Sequence, residues 1–330
     1  ETILPHAEAY MGFILLGAPF MTSSLMLNNL LRFQGSASYG MIGTMSGAIL
    51  NIALDPLFIF VFGMGVRGAA LATMLSQMVS FFLLLVGCMR KDNVRIRLKD
   101  FSPSVAIYKE IIRGGFPSLC RQGFASIAVI CINQAARGFG DTVIAAISIV
   151  NRVAMFAGSA LIGFGQGFQP VCGFNYGAGL YHRVKRAFSF CVHISTGVLI
   201  VLSVCGFIFA PEIIALFRKD DLEVITVGAR ALRFQCFTFP LTGWIVLNNM
   251  MSQTTGKAVE ATILALARQG VFLMIALFIL TPLFGLTGIQ LSQSAADIAT
   301  FILSIPLYRR IVRVMQTPGI KGQKTGNTAN

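Results

Sequence analysis

Charge is what this chain has least of: 12% of its 330 residues are charged, and only 13 of them are acidic. A soluble domain carries about 25% charged residues, because much of its surface must face water. That shortage excludes an ordinary soluble globule and a disordered chain. The three histidines have no partners at metal-ligand spacing, and no nucleophile–base arrangement is visible, which argues against an enzyme and against a bound cofactor. Seven cysteines form no CxxC pair and lie in or beside apolar segments, so they read as buried, inert thiols rather than a disulfide framework. No signal-peptide architecture opens the chain. Strand-like alternation is also missing over any useful length, which excludes a β-barrel.

What is present is apolar bulk: 55% hydrophobic residues and a mean hydropathy of +0.75. A helix crossing a bilayer needs roughly 20 mostly apolar residues. Nine stretches meet this description, at about 8–31, 40–62, 67–89, 114–136, 143–168, 187–210, 232–252, 260–281 and 285–307. The expected fold is therefore an all-α, polytopic membrane protein embedded in a lipid bilayer. The formal net charge of +13 raises the question of nucleic acid, and the placement of the cations answers it. Connections after the odd-numbered spans, with the C-terminal end, hold eighteen of the Lys and Arg residues; these include Arg90–Arg113, Arg183–Arg186, Lys257 with Arg268, and Arg309–Lys324. The opposite side holds six, and Arg121 and Arg152 fall within spans. Such asymmetry is the positive-inside pattern. It predicts a cytoplasmic C-terminus and no nucleic-acid partner. Residues 1–89 form one three-span group, 90–113 a cytoplasmic linker, 114–315 a six-span group, and 316–330 a polar, Gly-bearing tail expected to be disordered.

The first and last groups repeat each other. Pro19, Asn28 and Gly35 recur as Pro240, Asn249 and Gly256 at an offset of 221, and Gly65, Gly68 and Leu71 recur as Gly285, Gly288 and Leu291 at 220. Spans 1–3 thus match spans 7–9, and spans 4–6 have no partner. The pattern predicts twelve spans in two six-span halves, with three spans preceding Glu1.

The strings LNIALDPLFIF (50–60), GVRGAALATMLSQ (65–77), GFPSLCRQG (115–123) and GFGQGFQPVCGFNYGAG (163–179) resemble the multidrug and toxic compound extrusion (MATE) family. The resemblance covers essentially all of 1–315. It implies two six-helix lobes, of which this chain lacks the first three helices, and a secondary antiporter exporting cationic small molecules in exchange for Na+ or H+. It further implies a multi-pass protein of the inner (plasma) membrane, working as a monomer. Two rival readings are a lipid-linked-sugar flippase of the same broad superfamily and a truncated, inactive membrane fragment.

Among intramembrane polar residues, Asn51 and Asp55 stand four apart and so share one helix face. A carboxylate in lipid is costly and marks an ion or substrate path; alternatively, Asp55 before Pro56 is a helix restart, with Asp as N-cap and Pro at the first helical position. The family resemblance implies a cation site at Asn51 and Asp55, joined by Thr73 from the next helix and by an Asp from the absent segment. Spans 114–136 and 232–252 contain no acid, unlike relatives with a carboxylate site in that lobe. Arg152 and Asp297 each sit deep in a span and are expected to pair, as a structural brace or less simply as transport chemistry. The Gly-rich string 163–179 fails the GxGxxG pattern at Phe168. Gly163 and Gly167, like Gly43 and Gly47, recur every four residues and suggest close helix packing instead, with Pro170 kinking or ending its helix.

Overall fold

The computed structural model describes residues 4–90, 103–219 and 221–316. These are helical almost throughout and contain no strand. They fall into two compact units, 1–103 and 104–330. The expected linker at 90–113 lies partly outside the described residues, and its second half is already helix. The expected tail lies outside them from residue 317 onward.

The first unit contains α1 (Leu4–Phe33), α2 (Ala37–Pro56) and α3 (Gly65–Cys88), with a π turn at Leu57–Val61 continuing α2. Both α1 and α2 pack on α3. Their approach depends on small residues. A Cβ on Gly43 would lie 2.7 Å from the Leu84 side chain, and one on Gly47 would lie 2.8 Å from Ser80 Cβ.

In the second unit, α4 (Val105–Arg137), α5 (Asp141–Gly177), α6 (Tyr181–Ile208) and the short α7 (Ala210–Ala215) precede α8 (Leu222–Thr254). Then follow α9 (Ala258–Leu266), a π turn at Ala267–Val271, α10 (Phe272–Phe284) and α11 (Leu286–Gln316). α8 is central, packing against α5, α6, α7, α9 and α11. Its start is capped by the Asp221 carboxylate, which accepts from the Val224 amide at 3.1 Å. Pro170 does not end its helix, since α5 runs on to Gly177. Gly163 and Gly167 have open space around them; Gly165, between them, meets Met250 of α8 instead.

Among the described residues, seven helices are long and apolar enough to cross a membrane, against the nine expected stretches. The two that fall short, α8 and α11, are the helices fastened to each other by polar side chains. Trp244 Nε1 donates to Ser304 Oγ at 2.8 Å and Asn248 Nδ2 to the Ser304 carbonyl at 2.9 Å. Ser294 Oγ donates to the Phe234 carbonyl at 2.9 Å, and Gln290 Nε2 to the Val227 carbonyl at 3.1 Å. Hydropathy falls where positions serve interhelical hydrogen bonds, which are worth about 0.6 kcal/mol each in membrane helices. Elsewhere the outer surface is frankly apolar: Phe156, Phe237 and Phe278 are each at least 80% exposed. Such a surface suits lipid rather than water.

The repeat seen in the sequence is built into the coordinates bond by bond. Asn28 Nδ2 donates to the Gly40 carbonyl at 2.9 Å, and Asn249 Nδ2, 221 residues on, donates to the Ala261 carbonyl at 2.7 Å. The turn between each helix pair is also the same. Gly35 and Gly256 have φ of +81° and +74°, where an L side chain is strained. The Ser36 amide reaches the Leu31 carbonyl at 2.8 Å, and the Lys257 amide reaches Ser252 at 2.9 Å, the closing bonds of a glycine C-cap. At the next turn Gly65 and Gly285 have φ of +56° and +55°. Gly68 then rests against the backbone of Phe58, and Gly288 against that of Leu280.

A Cβ at Gly288 has nowhere to go, because a backbone carbonyl occupies its place. Gly288→Ala is expected to destabilise the protein by about 1–3 kcal/mol, the usual cost of overpacking, as a lowered unfolding temperature in detergent. Gly197→Ala in α6, where nothing lies within 4 Å, is expected to leave it unchanged or slightly raised.

Candidate functional site

Polar side chains in the first unit converge on one cavity of about 280 Å³, walled by α1, α2 and α3. Asn51 and Thr73 both line it. Asp55 is not on its wall. It lies one turn beyond Asn51, whose Nδ2 donates to Asp55 Oδ1 at 3.2 Å. With its amide group engaged in this way, the Asn51 carbonyl oxygen is left to serve as a neutral ligand. The helix does not restart at Asp55 either: α2 passes through Pro56 and opens directly into the π turn at Leu57–Val61. Pro56 has no N–H to give the carbonyl of Ile52, and a π turn is a known way for a helix to absorb such a fault, often beside a functional site. Asp55 therefore caps nothing and orients Asn51.

The cavity contains more oxygen than the sequence reading assigned. Ser24, Ser76 and Gln77 also line it, and Ser24 Oγ, Ser76 Oγ and Gln77 Oε1 are buried with no hydrogen-bond partner among the described residues. Buried polar atoms are satisfied in the great majority of cases, so three orphans around one cavity define a place built for something polar. Thr73 Oγ1 donates to the Ala69 carbonyl at 2.9 Å, which leaves its lone pairs free. A signal for these residues was present: Thr73, Ser76, Gln77 and Ser80 follow the i, i+3, i+4, i+7 spacing of one helix face. Oxygen-only donor sets of this kind suit a hard cation.

The expected Arg152–Asp297 pair does not form. Asp297, 1% exposed, accepts from Arg268 Nε at 2.8 Å and from Gln293 Nε2 at 3.2 Å. Arg152 is exposed and makes no ion pair among the described residues. Arg268, counted with the cytoplasmic connections in the sequence, lies inside a helical segment, Ala258–Phe284, in the π turn Ala267–Val271. That turn faces α11 and gives Asp297 a nearer cation than Arg152 of α5.

A helical bundle that repeats a three-helix unit and carries a polar cavity within helices long and apolar enough to cross a membrane defines a polytopic membrane protein. The chain belongs to the MatE family, whose profile matches residues 1–57 and 124–279 and so includes Asn51 and Asp55 but not Thr73. Among curated relatives, the multidrug export protein MepA of Staphylococcus saprophyticus is 29% identical over 295 residues, and that of Staphylococcus aureus 29% over 292 residues. These alignments cover 89% and 87% of this chain, which spans 65% and 63% of the relatives' own lengths. Among solved structures, a multidrug resistance MATE family transporter in an outward-facing conformation matches with a TM-score of 0.87 at 28% identity, over 94% of this chain and 70% of that one. A crystal structure of MATE in the straight conformation matches at 0.87 and 27% identity, over 93% and 70%.

Removing one partner of a buried pair leaves an uncompensated charge, at a cost of about 3–5 kcal/mol. Asp297→Leu is expected to lower stability by that order, while Arg152→Ala stays within about 0.5 kcal/mol of the parent. Denaturation of the two variants in detergent checks this, and the opposite ranking would restore Arg152 as the partner.

Proposed function

We propose that this chain is the greater part of a plasma-membrane antiporter that exports organic cations in exchange for Na+, not an enzyme, and needs no cofactor. The observation that carries the reading is the cluster of orphaned buried oxygens around Asn51 and Thr73 in a member of the MatE family. A proton would need one titratable group on the cavity. The cavity instead gathers neutral oxygens, with the Asp55 charge one turn away, as a Na+ ion requires. The similarity to proteins named for multidrug export supports an export direction and small-molecule substrates.

Coupling follows from differential binding. An ion that binds one conformation better shifts the population toward it, by no more than its difference in affinity for the two states. Sites at repeat interfaces, opened alternately to each side, are the general plan of such transporters. In this chain Asp55 would draw the cation, Asn51 and Thr73 would give neutral oxygens, and Ser24, Ser76 and Gln77 would complete the shell. The second unit contributes the other half of the repeat. By the positive-inside distribution its C-terminal end is cytoplasmic.

Efflux of a fluorescent organic cation from cells or proteoliposomes expressing the complete parent protein tests the reading. Asp55→Asn is expected to abolish Na+-driven efflux while membrane insertion stays intact, and Thr73→Val to raise the Na+ concentration needed by about tenfold. Unchanged efflux in Asp55→Asn, or efflux driven by a pH gradient alone, would overturn the ion assignment.

A further inference from the structure

The second unit has a cavity of about 190 Å³ at the position that corresponds, through the repeat, to the oxygen-lined one. Ser24, Thr44, Gly47 and Ala48 on the first cavity become Ile245, Ala265, Arg268 and Gln269 on the second, each 221 residues later. The scaffold is shared and the chemistry is not. A glycine has become a guanidinium, and an alanine an amide. The backbone differs at the same place: residues 46–50 belong to the unbroken α2, while 267–271 form a π turn. Gly270 of that turn lies against Phe124, where a Cβ would fall 2.8 Å from the ring. The contact brings α4 close, so that Arg121 and Gln122 of α4 line the same cavity as Arg268 and Gln269.

The charges on this wall do not balance. Arg268 is matched by Asp297. Glu260, another acid on these helices, faces Arg310 at 3.8 Å. Arg121 makes neither an ion pair nor a hydrogen bond among the described residues, and the amides of Gln122 and Gln269 are likewise unengaged. An unmatched guanidinium inside a membrane helix is costly and marks a functional group by default. The remaining wall is aliphatic, including Ile162, Val246 and Leu264.

We propose that this cavity binds a small organic monoanion: a carboxylate on an apolar body of about one aromatic ring. One excess positive charge calls for one negative charge. The planar fork of Arg121 fits a carboxylate through two parallel hydrogen bonds, with Gln122 and Gln269 as further donors. A benzene ring fits an apolar cavity of about 150 Å³, so the volume admits a ring and its carboxylate. The site shares no residue with the cation site around Asn51 and does not depend on it.

Binding of radiolabelled benzoate to the purified full chain, followed by scintillation proximity, tests the proposal. Saturable binding is expected, with no competition from benzamide, the neutral analogue. Arg121→Gln is expected to weaken it at least tenfold, and Arg121→Lys, which keeps the charge and loses the fork, to weaken it less. Thermal unfolding of each variant confirms that it remains folded. Asp55→Asn is expected to bind benzoate like the parent, so a failure here and a failure of the Na+ assignment can be told apart. Four results would overturn the proposal: no saturable binding, equal competition by benzamide, parental affinity in both Arg121 variants, or displacement by inorganic phosphate at lower concentration than by benzoate. The last would reassign the cavity to phosphate.

Discussion

The side-chain amide of Asn28, donated to the carbonyl of Gly40, fastens α1 to α2 in the first unit, and Asn249 does the same to Ala261 in the second. Both asparagines are buried. A buried amide in lipid has few alternative partners, so each bond fixes the register of a helix pair around a glycine turn that only a positive φ can make. The cavities in both units sit beside these clamps: Asn249 lines the second, and Ser24 and Leu25, one turn before Asn28, line the first. The rest of the structure follows from this constraint. Helices locked at one end by the clamp, and at the other by a glycine pressed on bare backbone, hold a gap between them of nearly fixed position.

What each unit places in the gap then diverges. Gly47 in the first unit lets α3 approach closely and brings no charge, and α3 lines the cavity with hydroxyl and amide oxygens. Arg268 in the second brings a cation and requires Asp297 to sustain it. The repeat thus keeps the clamp and the glycine turns, while the backbone beside the cavity and the residues that line it differ between the units. A duplicated scaffold allows such specialisation at low structural cost, because the clamp and the turns do not depend on the cavity lining.

Most of the architecture was legible because lipid imposes simple rules on sequence. Apolar length marks helices, and the offset of Pro, Asn and Gly marked the repeat, since the asparagines carry the clamp and the glycines the turn. The contact between Asn51 and Asp55 was legible for a similar reason: four residues apart on a helix means adjacent in space. The failures concern matters that spacing along one helix does not encode. Asp297 pairs with Arg268 rather than Arg152, and that choice depends on which helix faces α11. Arg268 falls within the expected span 260–281 although it was counted with the connections; the π turn sets it on a cavity wall facing α11, and no period in the sequence announces a π turn. Ser24 joins the cavity from α1, across the bundle from Ser76 and Gln77, so periodicity on α3 reveals half of the site. The hydropathy of α8 and α11 is low because their polar residues are bonded to each other, which composition counts as a defect and the fold uses as a brace.

One repeated scaffold would thus hold a cation cavity in the first unit and an anion cavity in the second. Anomalous diffraction from crystals of the protein soaked in Tl+, a heavy monovalent cation, reads this directly. The account predicts a peak within bonding distance of the Asn51 and Thr73 oxygens and none beside Arg121. A cation peak against Arg121 and Arg268, or none near Asn51, would contradict it.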